Sequence, residues 1–438
     1  MEKIYQKTIG RHLVQPISLF VSHQKSGGIA LGISVLIALI LANSPISEDY
    51  FHFFENTFGF NINGKTYFDF TLHHWINDGL MSIFFFVVGL ELKHEFISGE
   101  LSNPRNTILP IGAALGGMLV PAILYLAFNH GTPAAGGWGI PMATDIAFAL
   151  AVLYVLGNRV PAAAKVFLTT LAVADDLGAV VVIALFYTSN IYFWSLGTGV
   201  LLLSIMFVAN KMGVKNMLFY GLVGIGGVWT MFLLSGVHAT IAAVLAAFMI
   251  PADAAIDEPT FLQKLCNLAS KFRDAKSNDV RTLEDDQLHL LQEIQVVSKR
   301  AVPPSQWLEH YLAPIVTFII MPIFALANAG ISFQGVDFGH LFGSPVLWGI
   351  FAGLVGGKVL GIMGTTFLLT KAKLATIPES LTKRQLLGLS FLASIGFTMS
   401  IFISTLAFQQ PDLLMEAKVG IFMASLVGGV VGFFLLKK

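Results

Sequence analysis

Cysteine is nearly missing from this chain: Cys266 is the single one in 438 residues. An internal disulfide framework and any cysteine-based metal site are therefore excluded. Charge is also scarce, because Asp, Glu, Lys and Arg make up 12% of the chain against roughly 25% in an ordinary soluble domain. The formal net charge is zero and no basic block occurs, which argues against nucleic acid as a partner. A secretory signal is lacking too. Residues 1–24 are polar and basic, and the apolar patch at 17–21 is too short to be the core of a cleaved leader. What the chain does have is apolar mass, with 55% hydrophobic residues and a mean hydropathy of +0.74. These values place it among integral membrane proteins.

Apolar runs of about 17 to 25 residues, the length that crosses a bilayer, fall near 27–45, 75–92, 107–128, 138–157, 161–187, 192–210, 215–235, 237–251, 312–332, 346–370, 385–407 and 417–436. They predict an all-α polytopic membrane protein of twelve transmembrane helices. Lys and Arg concentrate in alternate loops, as they do on the cytoplasmic side of a membrane. One side receives both termini, Lys93, Arg105, Arg159, Lys165, Lys211, Lys215, Lys371, Lys373, Lys383 and Arg384. The other receives only Lys65 and Lys418. Both termini are thus expected in the cytoplasm. The chain reads as one domain over 1–438, with a cytoplasmic start at 1–26, an external loop at 46–74 and a cytoplasmic polar insert at 252–311.

In the external loop, Asn63-Gly64 stands between alternating aromatic and polar residues, the strongest short-range signal for a two-residue β-hairpin. A lone hairpin has open edges and is marginal in water. Pairing between Phe58 and Phe68 with the same hairpin of a second subunit would give a homodimer; the alternative is a hairpin lying on the external surface. The insert, mixed in charge and weakly periodic, reads as a partly disordered linker with one short amphipathic stretch near 288–294.

Four ionisable residues fall inside predicted spans: Asp145, Asp175, Asp176 and Lys358. A charge at the bilayer centre costs about 2.5–3.5 kcal/mol on insertion scales, so each is a functional candidate. Two of the spans also carry backbone signals. The fourth contains Gly136, Gly137, Gly139 and Pro141 just before Thr144-Asp145, and the eleventh contains Ser394-Ile395-Gly396-Phe397-Thr398-Met399-Ser400. Each alone is compatible with a kinked helix packed through small residues. Together they are the middle members of two trios of opposite orientation, helices 3–5 and 10–12, the layout of an inverted repeat with broken helices crossing mid-membrane. Asp145 would offset the positive half-helix ends there and Lys358 the negative ones.

Asp175 and Asp176 point about 100° apart on a helix, which disfavours a proton-sharing dyad and favours divided roles. Carboxylates, hydroxyls and loosened carbonyls are hard ligands suited to a small hard cation. A carboxylate out of water holds a proton firmly and yields it to a bound cation, which is the physical core of antiport. A second cluster, Glu91, Lys93, His94 and Glu95, meets Glu309-His310 on the cytoplasmic side. It is either a solvated helix end or a histidine–carboxylate group that titrates near neutrality.

Several segments match a known pattern: Ala143-Thr144-Asp145-Ile146-Ala147-Phe148, Ala174-Asp175-Asp176-Leu177-Gly178-Ala179, Ser235-Gly236-Val237-His238-Ala239-Thr240, Ala327-Asn328-Ala329-Gly330, Gly357-Lys358 and Ile395-Gly396-Phe397-Thr398-Met399-Ser400. In these, and over nearly its whole length, the chain resembles the NhaA-type sodium/proton antiporters, themselves a known case of inverted repeats. The resemblance implies electrogenic, pH-regulated exchange of cytoplasmic Na⁺ or Li⁺ for external H⁺ in a bacterial inner membrane, by a secondary transporter rather than an enzyme, with no cofactor. It makes Asp176 the principal cation ligand, and Asp175 its essential neighbour, paired with Lys358 in one state. Thr144, Asp145, Gly396 and Thr398 would belong to the crossing, and Glu91, His94, Glu95, Glu309 and His310 to the pH response. The chain departs from the pattern at His94, where arginine is usual, at Ala313, at Gln306-Trp307 and in its longer insert. A sodium-coupled symporter on a similar plan is the alternative. An intramembrane aspartyl protease would need two aspartates around one water, without Lys358 beside them.

Overall fold

The apolar runs fold as helices in the computed structural model, which describes residues 25–437 apart from 63–64, 103, 189–190, 276–281 and 379. The start 1–24, the Asn63-Gly64 turn itself and Lys438 lie outside the described residues. In chain order the elements are α1 (Lys25–Ala42), α2 (Ser47–Glu55), β1 (Thr57–Ile62), β2 (Lys65–Thr71), α3 (72–97) and α4 (Pro104–Asn129). A 3₁₀ stretch, Pro133–Met142, leads to α5 (Ile146–Leu156), followed by α6 (Ala162–Phe186), α7 (Phe193–Lys211), α8 (Met217–Ser235) and α9 (Ala239–Met249). The insert contains α10 (Glu258–Asp274) and α11 (Asp285–Ala301). Then come α12 (Pro304–Asn328), α13 (Phe338–Gly343), α14 (Pro345–Lys371), α15 (Lys383–Ala393), α16 (Phe397–Ala407) and α17 (Pro411–Lys437).

Among the described residues, eight helical segments are long and apolar enough to cross a membrane, or ten if two bent pairs each count as one span. The remaining expected spans, 75–92 and 237–251, are the helices α3 and α9, which do not meet that measure; α9 has 11 residues. Lys418, counted with the external side, lies about two turns inside α17, which starts at Pro411 rather than 417.

Close helix packing relies on small residues, since lipid provides no hydrophobic drive between helices. Gly361 of α14 lies against the carbonyl of Gly116 on α4, and a Cβ on Gly357 would come within 2.7 Å of Pro121 Cα. These approaches seat the middle of α14 deep in the bundle.

β1 and β2 pair antiparallel with Ile62 opposite Lys65, so the connection has two residues, as the sequence predicts. A bulge between Phe58 and Phe60 and a left-handed Phe68 (φ 54°) twist the ribbon. The expected linker is instead a helical hairpin. Phe261, Leu265, Leu268 and Phe272 of α10 recur at helical spacing, as do Leu290, Ile294 and Val297 of α11, with Leu268 and Val297 buried. Its base is clasped by Ala255 N and Ile256 N donating to Arg300 O (2.8 and 3.1 Å) and Ser305 N donating to Pro251 O (3.1 Å).

Candidate functional site

The two interrupted spans meet at their breaks. Pro141 has no N–H to donate, and the chain leaves the 3₁₀ stretch in an extended conformation at Ala143 before α5 begins. On the other span, α15 and α16 are bent by 42° around Ser394–Gly396. Asp145 N donates to Ile395 O (2.6 Å) and the Ser400 hydroxyl to Ile140 O (2.8 Å), which joins one break to the other. A Cβ on Gly396 would lie 3.0 Å from Ala143 O and closer still to Ser400, so glycine permits the approach.

Asp145 sits on the N-termini of both second halves. One carboxylate oxygen accepts from Phe148 N (3.1 Å) in the first turn of α5; the other accepts from Thr398 N (3.0 Å) and the Thr398 hydroxyl in the first turn of α16. Each helix start leaves unpaired N–H groups and a partial positive charge, and one carboxylate answers both. This places Asp145 in the capping position expected from its charge.

Asp175 and Asp176 lie on α6, and their surroundings differ. Asp175 is ion-paired with Lys358 Nζ and lies 2.5 Å from the Thr144 hydroxyl. That hydroxyl is also 2.9 Å from Ala393 O and accepts from Lys358 Nζ at 2.5 Å. Lys358 is fully buried, directly after a π-helical segment, Ala352–Gly357, whose wider turn is of a kind frequent at functional sites. Asp176 is equally buried, at 1% exposure, yet neither of its carboxylate oxygens has a hydrogen-bond partner among the described residues. Buried polar groups are almost always paired, so such an orphan carboxylate marks a place for a proton or a cation. It borders a cavity of about 690 Å³ that also touches Glu91, Asp145, His310, Thr317 and Met399.

The model of the family described as Na⁺/H⁺ antiporter 1 matches residues 18–436. The chain belongs to this family. It is 44% identical over 433 residues to the Na⁺/H⁺ antiporter NhaA 1 of Saccharophagus degradans, covering 97% of this chain and 92% of that one. Identity to the Na⁺/H⁺ antiporter NhaA of Oleidesulfovibrio alaskensis is 46% over 429 residues, covering 97% and 94%. To that of Helicobacter pylori G27 it is 45% over 417 residues, covering 94% and 93%. The chain is thus a multi-pass membrane protein of a transporter family, not of a family of catalysts.

Within this antiporter fold, Thr144, Asp145, Asp175, Asp176, Lys358, Gly396 and Thr398 converge on the crossing. Glu91 and His310 line the same cavity as Asp176. His94 pairs with Glu309 (3.4 Å) nearer the insert, outside the cavity lining, with Glu95 beside it on α3. Three supports do not show in the sequence pattern. Tyr125 donates to Ala134 O (2.8 Å) and Tyr187 to Gly136 O (2.8 Å), which pins the 3₁₀ stretch. Lys93 donates to Phe248 O (2.8 Å) and to Ile250 O, holding the end of α9. A tyrosine hydroxyl in an apolar segment needs a partner, and that was the available signal.

Proposed function

We propose that the chain is an electrogenic secondary antiporter that exports cytoplasmic Na⁺, or Li⁺, in exchange for external protons under pH control. It would work in the bacterial inner membrane with both termini cytoplasmic. The observation that carries this reading is the unequal pair on α6: Asp175 neutralised by Lys358, and Asp176 bare at the edge of a cavity. A cation entering past Glu91 meets Asp176, sheds water against hard oxygen ligands and displaces a proton. When it draws in Asp175 and Thr144 as well, Lys358 loses its partner. Three titratable groups share one buried site, enough to move more than one proton per cation, as electrogenic exchange requires. The match to Na⁺/H⁺ antiporters favours exchange of small ions over symport of an organic solute. The test is in everted membrane vesicles with an imposed acid interior. Na⁺ or Li⁺ should dissipate the gradient and K⁺ should not; no response to Na⁺ or Li⁺ contradicts the reading.

Regulation by pH fits the His94–Glu309 pair (3.4 Å), which ties α3 to α12. Arginine stays charged throughout, so His94→Arg should keep the two helices tied and move the onset of activity to higher pH. An unmoved profile removes this pair from regulation.

A homodimer through the hairpin is part of this proposal. Phe58 and Phe60 are 55% and 54% exposed on one strand, and the two-stranded sheet has open edges. Deleting 58–68 should abolish the crosslinked dimer in membranes while monomers retain exchange. A dimer band of undiminished intensity refutes pairing through the hairpin.

A further inference from the structure

Hydrogen bonds sort the helices around the site into two sets. In the first, Asp145, Thr144, Asp175 and Lys358 tie the two breaks to each other and to α6 and α14. In the second, the end of α12 nearest the β-hairpin is held by the first part of the chain. Asn43 Nδ2 donates to Ile331 O (2.8 Å) and its Oδ1 accepts from Phe333 N (2.8 Å). Tyr50 donates to Leu326 O. Asn328 Nδ2 donates to Asn77 Oδ1 on α3 (2.9 Å) and to Phe324 O (3.1 Å). So α3 and α12 are bound together at that end, and α16 belongs with the breaks.

On the hairpin side of the site the two sets meet through aromatic rings. Phe402 of α16 lies 5.6 Å, ring centre to ring centre, from Phe85 of α3 and 6.2 Å from Phe324 of α12. All three side chains are at most 1% exposed. The cavity that reaches Asp176 is lined by Phe84, Met321 and Met399, each within a turn of one of these rings, and extends from there to Glu91, His310 and Thr317. Phe85 precedes Glu91 by six residues, about 9 Å along the helix at 1.5 Å per residue. Such a ring contact excludes water and a hydrated ion, and can part without stranding a hydrogen-bonding group.

We propose that Phe402, seated against Phe85 and Phe324, is the external gate of the transport site. While the rings touch, Asp176 communicates with the cytoplasmic cavity alone. They separate when the set carrying α16 moves against the set carrying α3 and α12, which the Asn328–Asn77 bond keeps as one body. This rests on the exchange reading and on its orientation.

The test uses the full-length protein in proteoliposomes, with radioactive Na⁺ flux and internal pH followed together. The parent should exchange the two ions; a parent that does not overturns the exchange reading, and the gate with it. Given an active parent, Phe402→Ala should let Na⁺ move without protons, raising the Na⁺ to proton flux ratio about threefold or more, whereas Phe402→Leu keeps a hydrophobic plug and the parental ratio. A parental ratio in Phe402→Ala overturns the gate alone. Where Phe402→Ala does not fold, the pair Phe85→Cys/Phe402→Cys in a Cys266→Ser background decides. A short bis-methanethiosulfonate reagent, which spans the gap left by the two rings, should crosslink it and lower exchange about tenfold, as expected of a locked gate, and reductant should restore it. Failure to crosslink, or exchange by the crosslinked protein, overturns the proposal.

Discussion

Asp176→Asn is expected to abolish Na⁺-driven proton exchange while leaving the protein assembled in the membrane. Asparagine keeps the shape and one carbonyl oxygen but has no charge for the cation and no proton to release. In a buried site, the lost attraction is worth several times its value in solution. A fall of at least about a hundredfold, equivalent to about 2.7 kcal/mol, is the expected scale. Stability should move the other way or not at all. Neither Asp176 oxygen has a partner to lose among the described residues, and a neutral amide is less costly to bury than an unpaired carboxylate. Vesicle assays read the activity, and thermal denaturation in detergent reads the stability. A variant with parental flux removes Asp176 from the transport path. One that is inactive because it fails to assemble shows that the carboxylate is structural.

Lys358→Met is expected to be the most destabilising change at the site. The ammonium is fully buried and serves both Asp175 and the Thr144 hydroxyl, so its removal leaves a buried carboxylate unpaired. Breaking one side of a buried pair costs about 3–5 kcal/mol, whereas replacing both partners with neutral groups of similar volume is often nearly neutral. The double variant Asp175→Asn/Lys358→Met should therefore regain most of the thermal stability lost by Lys358→Met, although it has lost a proposed transport residue. The measurement is a thermal melt of the parent, both single variants and the double variant. Additive losses would mean that Asp175 and Lys358 act independently in the folded protein.

Much of this architecture was legible because a membrane makes certain residues expensive. Four charges in apolar spans stand out from the sequence, and three of them, Asp145, Asp175 and Lys358, prove to be paired or capping groups. Pro141 and Gly396 announced the interruptions because proline lacks a donor and glycine permits close approach. Adjacent positions on a helix also predicted that Asp175 and Asp176 would differ, and the resemblance gave Lys358 to the first; only packing adds Thr144 to that pair. Other features have no such signature. Phe85, Phe324 and Phe402 look like any lipid-facing phenylalanine, since hydropathy is the same toward lipid and toward a partner helix. The 3₁₀ stretch Pro133–Met142 is pinned by the hydroxyls of Tyr125 and Tyr187, whose need for a partner shows in the sequence while the partner's identity does not. The helices of the insert were diluted by their polar majority, although their apolar residues do recur at helical spacing.

Competition between Na⁺ and protons at Asp176 can be measured without a membrane. Purified protein in weakly buffered detergent solution is given Na⁺ while the pH is followed. The parent should release protons saturably with Na⁺ and with Li⁺ but not with K⁺, and Asp176→Asn should release none in response to any of the three. An identical release from both proteins, or none from a parent that is folded, would contradict exchange at this carboxylate.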